Sequence, residues 1–286
     1  MKTIASLVLS TLSAWGALTA PALAADWNAP QQPFLMYGNT HYVGTAGISA
    51  VLITSPQGHI LIDGAAPKGA QLIAANIRSL GFKPEDIKYI LNSHAHIDHA
   101  GGIAELQKIS GATVLAAPPG VQVLGSGKAG PDDPQFGTLS DFTPVANLRP
   151  VLDGEVVKLG PLAVTAHYTP GHTKGGASWT WQSCEAGLCK NVVYGDSLGV
   201  YSADGYKYTA HPEVVADFER SFKLVEALPC DLLITAHPEV NDMWGRLARQ
   251  PKQGNAVFQD DQACRALVVG ARKALAARLA FEQAKS

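Results

Sequence analysis

Ser93-His94-Ala95-His96-Ile97-Asp98-His99-Ala100-Gly101-Gly102 packs four candidate metal ligands between an apolar run that ends at Asn92 and a helical pattern that begins at Gly102. On extended backbone, residues two apart face the same side, so His94 and His96 can meet one ion while a turn presents Asp98 and His99 elsewhere. Neutral imidazole and carboxylate suit Zn²⁺, and two such pairs leave each ion in need of ligands from distant parts of the chain. His172, in Thr169-Pro170-Gly171-His172-Thr173, and His237, in Thr235-Ala236-His237-Pro238, each follow a strand-like run and can supply them. Asp196, in Tyr194-Gly195-Asp196-Ser197-Leu198, stands at a similar strand end. His41, His59, His167 and His211 lack that setting and read as structural or exposed.

Outward from this motif, short extended runs at 41–45, 48–54 and 59–63 are separated by Gly47 and by Pro56-Gln57-Gly58, the pattern of a β-meander. Helical spacing over 68–80 stops at Gly81, and an apolar run at 88–92 leads into the motif. A helix over 102–109 and a strand over 112–116 follow it. Residues 118–150 carry little periodicity and read as a long functional loop. Strand patterns return at 156–159, 162–167, 177–181, 191–194 and 232–235, with helices over 214–228 and 260–281. Strands and helices alternate in both halves, so sheets buried under helices are expected, with no internal domain boundary.

The composition agrees with a globular enzyme. The chain has 286 residues, 47% hydrophobic and 16% charged, with a formal net charge of −2, which excludes a disordered or coiled-coil protein. No run of Lys or Arg offers a footprint for a phosphate backbone, so the expected partner is a small molecule and not a nucleic acid. Met1-Lys2, an apolar run over 4–19 and Ala22-Leu23-Ala24 read as a cleaved signal peptide over 1–24, leaving a single domain over 25–286 without a membrane anchor. Export to the periplasm favours disulfides. Cys184 and Cys189 flank a hairpin tip, and Cys230 and Cys264 lie before a strand and within the last helix, so the pairs Cys184 to Cys189 and Cys230 to Cys264 are expected.

His94-x-His96-x-Asp98-His99, then Gly171-His172, Gly195-Asp196 and His237, after Gly58-His59-Ile60-Leu61-Ile62-Asp63-Gly64, resembles the metallo-beta-lactamase superfamily over essentially the whole mature chain. The motif run, Tyr194-Gly195-Asp196-Ser197-Leu198, Leu228-Pro229-Cys230-Asp231 and the signal most resemble its subclass B3. The resemblance implies an αββα sandwich, two mixed sheets flanked by helices with the metal site at the sandwich edge. It implies two Zn²⁺ per chain, with His94, His96 and His172 at the first and Asp98, His99 and His237 at the second. The implied activity is opening of the β-lactam ring of antibiotics by a bridging hydroxide that Asp98 helps to orient, in a monomeric periplasmic enzyme. Ser197 and Gly199 would meet the substrate carboxylate, although Gly199 replaces a hydroxyl residue found in many relatives, and Gln135 would reach over the site.

Other hydrolases of this fold act on thioesters, lactones or phosphodiesters, and in them an Asp corresponding to Asp196 bridges both metals. The Ser197 that follows Asp196 and the short stretch after His237 favour the β-lactam reading over a lactone or thioester hydrolase. A diiron electron-transfer relative would carry Glu where His96 stands. A metal-storage protein would close its sites, whereas this ligand set leaves room for water.

Overall fold

Alternation along the strands builds the layers. A computed structural model describes residues 26–285; the expected signal segment lies outside them. One sheet holds, in spatial order, β1 (Phe34–Tyr37), β2 (Thr40–Tyr42), β3 (Val51–Ile53), β4 (His59–Ile62), β5 (Ile87–Leu91), β6 (Thr113–Ala116) and β7 (Leu148–Pro150). The other holds β8 (Val156–Leu159), β9 (Leu162–Tyr168), β10 (Ala177–Glu185), β11 (Leu188–Gly195) and β12 (Leu232–Thr235). Both sheets are mixed: β1 to β4 form an antiparallel meander and β4 to β7 run parallel. In the second sheet β8 to β11 are antiparallel and β12 lies parallel to β11.

Successive residues point to opposite faces. Val51, Ile53, Ile60 and Ile62 of the first sheet meet Trp179, Val192, Tyr194, Leu232 and Ile234 of the second in the central core. Leu52, Leu61 and Ile90 turn the other way and pack against α1 (Gly69–Ser79), α3 (Ile103–Ser110) and α4 (Pro118–Ser126). The four-residue α2 (Ile97–Ala100) lies between α1 and α3 in sequence. On the outer face of the second sheet, Val193 and Leu233 meet α5 (Pro212–Ala227) and, beyond α6 (Met243–Gln253), α7 (Ala263–Ala284). The result is the αββα sandwich. Strands buried on both faces read as continuous apolar runs, as in His59-Ile60-Leu61-Ile62 and Leu232-Leu233-Ile234.

Several elements were not visible as periodicity. The stretch expected to be a long loop begins with α4 and ends with β7, because Pro118, Pro119, Gly120 and Gly125 mask a helix that buries only Gly120 and Leu124. Gly127, at φ +71, ends that helix and sends the chain into the irregular segment beside the motif. α6 is polar, buries only Met243 and contains Pro251. β10 and β11 run past their apolar stretches to a tight turn at Ala186 and Gly187, both at positive φ. Among the described residues no helix is long and apolar enough to cross a membrane.

Both expected disulfides are formed, Cys184 to Cys189 across the hairpin tip and Cys230 to Cys264 between the approach to β12 and α7. The second closes the longer loop, with a sequence separation of 34 against 5. By loop entropy it constrains the unfolded chain by roughly 3–4 kcal/mol and the hairpin bridge by roughly 2. Denaturant titration of a Cys230→Ser/Cys264→Ser variant should therefore show the greater loss of stability, and that of a Cys184→Ser/Cys189→Ser variant the smaller.

Candidate metal centre

The motif sits where β5 ends, and a buried carboxylate shapes it. Asp63 closes β4 at φ +60 and accepts hydrogen bonds from Ser93 N (2.7 Å), Ser93 Oγ (2.6 Å), Asn92 Nδ2 (3.0 Å) and Tyr194 Oη (2.8 Å). The amide of Gly64 donates to the His99 carbonyl at 2.9 Å, tying the last residues of α2 to the end of β4. A Cβ on Gly102 would stand 2.2 Å from the Gly64 carbonyl oxygen, so the motif needs glycine there to let the two backbones approach.

This frame gathers two groups. His94, His96 and His172 bring one ligand atom each within 4.8 Å of one another, and so do His94, Asp98 and His99. His237 joins the second group, with Nε2 3.3 Å from Asp98 Oδ2 and 3.2 Å from His99 Nε2. All six residues expected to hold metal therefore converge at the ends of β5, β9 and β12.

Each imidazole of the first group is held from outside. His94 Nδ1 lies 2.7 Å from Asp196 Oδ1, and His172 Nδ1 donates to the Gly199 carbonyl at 2.8 Å, so both turn Nε2 inward. His96 is reversed: its Nε2 lies 2.8 Å from Asp133 Oδ2, leaving Nδ1 to face the group. The buried Nε2 of His94 has no hydrogen-bond partner. Burial, followed by the His99 and His96 imidazoles, holds His94 well below its usual value; burial and His96 bring His172 down to about 3. Both rings are thus neutral at neutral pH, the form that binds a metal. Burial works to raise Asp98, but His99 and the His237 hydrogen bond outweigh it and keep the carboxylate ionised. An unpartnered inward nitrogen beside a neutral imidazole and an ionised carboxylate fits a borderline cation such as zinc.

Asp196 belongs to neither group within 4.8 Å; its carboxylate stands behind His94 and its amide donates to Ser178 Oγ. A cavity of about 910 Å³ opens over the cluster, and His96, Asp98, His172, His237, Gln135, Ser197 and Gly199 all line it. Ser197 Oγ accepts the Gly199 amide at 3.3 Å, and Gln135 Nε2 lies 3.4 Å from His96 Nδ1. His41 and His59 pack edge-on to Phe82, and His167 bonds Thr180, all away from the cavity. Two residues that sequence reasoning did not single out as functional are Asp63 and Asp133. Asp63 had a visible sign, a charge closing an apolar run; Asp133 had none.

A family model described as the metallo-beta-lactamase superfamily matches residues 43–237. Among solved structures, the metallo-beta-lactamase SMB-1 bound to 2-mercaptoethanesulfonate is 61% identical, covering 90% of this chain and 100% of that one, with a TM-score of 0.89. MEM-A1, a subclass B3 metallo-beta-lactamase from a soil metagenome library, is 57% identical over 91% of this chain and 100% of that one, also with a TM-score of 0.89. A hydroxyacylglutathione hydrolase of Anaeromyxobacter dehalogenans is 32% identical over 138 residues, 48% of this chain and 41% of that protein. The chain spans less than half the length of that curated relative.

Asp63 is the group on which the motif's shape rests. Asp63→Ala strands the Ser93 amide and hydroxyl and an Asn92 Nδ2 proton in a buried site, each worth roughly 1–3 kcal/mol, while Tyr194 Oη keeps the Ser49 carbonyl at 3.1 Å. Urea titration should show a loss of roughly 3 kcal/mol or more, against near-wild-type stability for a substitution of the exposed Asp204.

Proposed function

The chain belongs to the metallo-beta-lactamase superfamily, and from that premise we propose that it is a zinc-dependent hydrolase that opens the β-lactam ring of antibiotics. The observation that carries the reading is the cluster of five histidines and Asp98 beneath an open cavity, in a chain similar over its described length to subclass B3 enzymes. His94, His96 and His172 would hold one zinc ion, and Asp98, His99 and His237 a second. Zinc bound there would supply a water acidic enough to act as nucleophile at neutral pH and a Lewis acid for the lactam carbonyl.

The protein's own groups do the rest. Asp98, kept ionised by its imidazole neighbours, orients the attacking water through its carboxylate. No side chain need become acylated, and all four cysteines are tied up in disulfides. Ser197 Oγ already accepts the Gly199 amide, so its hydroxyl proton is free to donate to the substrate carboxylate. Gln135 places an amide at the cavity wall. The same reading takes residues 1–24 as a signal peptide and 25–286 as one periplasmic, monomeric domain, supported by Met1-Lys2, the apolar run after it and two disulfides.

Hydrolysis of a lactone or thioester is the competing activity, and it calls for Asp196 as a bridging ligand. Asp196 is instead engaged with His94 Nδ1, on the far side of the ring from the free Nε2, which favours the β-lactam reading.

The purified protein should open penicillin- or cephalosporin-type rings, lose turnover to a chelator and regain it with added zinc. Rapid hydrolysis of a lactone or thioester with no β-lactam opened would reject the substrate while leaving the metal site. Ser197→Ala should raise KM for β-lactams about tenfold, the worth of one hydrogen bond to a charged group, with kcat little changed in steady-state assays.

A further inference from the structure

We propose that Asp133 is a positioning residue for the first metal site, fixing the ring of His96 and seating Gln135 at the cavity wall. The inference rests on the metal reading above and adds to it a residue outside the ligand set.

The geometry is specific. A carboxylate only accepts, so the 2.8 Å contact between His96 Nε2 and Asp133 Oδ2 places the ring proton on Nε2 and the lone pair on Nδ1, toward His94 and His172. His94 and His172 make the opposite choice of nitrogen. His96 therefore needs a partner on the other side of its ring, and the one it has comes from the irregular segment after α4, not from the sheet. A carboxylate behind a metal-binding imidazole sets the tautomer, holds the ring plane and raises the basicity of the ligating nitrogen.

The second oxygen of Asp133 has its own task. Oδ1 accepts the Gln135 amide at 2.8 Å, and the backbone carbonyl of Asp133 accepts the Phe136 amide at 2.9 Å. Next to it, the Pro134 carbonyl accepts the Ala203 amide at 2.8 Å, fastening the segment to the loop that follows Ser197 and Gly199. One carboxylate thus grips a ligand ring with one oxygen and the backbone of Gln135 with the other. Its side chain is 11% exposed, so the pair is shielded enough for the charge to count. Asp132 beside it is an internal control: its carboxylate points to Lys174, 3.8 Å away, and is 59% exposed.

The test is zinc affinity, measured by competition with a chromophoric chelator on wild type, Asp133→Ala, Asp133→Asn and Asp132→Ala, with thermal melts to verify folding. Wild type should hold two zinc ions per chain. Asp133→Ala should weaken one of them about 10- to 100-fold and leave the other unchanged. Asp133→Asn, which keeps a neutral acceptor, should fall between, and Asp132→Ala should match wild type. Limited proteolysis should cut Asp133→Ala faster between residues 127 and 147. The proposal is overturned if zinc-competent Asp133→Ala binds both ions within twofold of wild type, or if Asp132→Ala weakens the same ion equally. A wild type that holds no zinc would overturn the metal reading itself.

Discussion

The buried carboxylate of Asp63 is the constraint on which the rest of the site depends. It comes from β4 of one sheet, accepts from Asn92 and Ser93 at the end of β5, and accepts from Tyr194 of β11 in the other sheet. The sandwich is therefore pinned by hydrogen bonds at the edge where the motif emerges, with the apolar core between the sheets and a second set of cross-sheet bonds, Trp181 Nε1 to Thr40 Oγ1 and Ser183 Oγ to the Tyr37 carbonyl, farther off. Burial pushes the Asp63 carboxyl up, and the nearby His99 with the hydrogen-bond donors offsets only part of that rise. Ser93 extends the pin, since its carbonyl accepts the Ala177 amide at the start of β10, and Trp179 Nε1 reaches the Asn92 carbonyl at 3.2 Å. A strained, positive-φ aspartate and a dry polar knot are tolerated because together they set where His94 begins.

From that origin the imidazoles are aimed by partners drawn from different parts of the fold. Asp196 follows β11, Gly199 lies in the loop beyond it, and Asp133 lies in the segment after α4. The outward ring nitrogens of His94, His96 and His172 are each satisfied, so their inward nitrogens are left as lone pairs. Four imidazoles crowded together would be costly if charged, and burial with mutual repulsion keeps His94 and His172 neutral. His237, the more exposed ring beside Asp98, goes the other way: burial lowers it, but the Asp98 hydrogen bond and charge outweigh that and raise it.

How much of this was legible in the sequence follows from how local each feature is. The clustered residues were legible because four of them lie in one strand-to-helix turn and the other two end apolar runs, where strand ends share an edge. The layers were legible because β3, β4, β11 and β12 alternate or run wholly apolar. α6 was not, since tertiary packing of Met243, Trp244 and Leu247 holds a polar helix that propensity alone would not favour. Asp133 was not, since Pro131-Asp132-Asp133-Pro134 offers two adjacent carboxylates and only the folded loop distinguishes the one that meets His96 from the one that meets Lys174.

Gly199 shows how a departure from the family pattern can be accommodated by geometry. A Cβ at this position would stand 2.4 Å from the Tyr201 ring, so the hydroxyl residue expected by resemblance cannot fit while that ring stays in place. The backbone of Gly199 instead does two things, accepting from His172 Nδ1 and donating to Ser197 Oγ. Tyr201, 64% exposed and edge-on to His172 at 6.1 Å, fills the vacated side of the cavity wall with an aromatic face. On the proposed reading, a substrate carboxylate would meet one hydroxyl, that of Ser197, flanked by a ring, where relatives with two hydroxyls would offer a second donor. Anchoring of the substrate would then lean more on contact between its apolar part and Tyr201 and less on hydrogen bonds to its carboxylate, because an aromatic wall rewards buried apolar area.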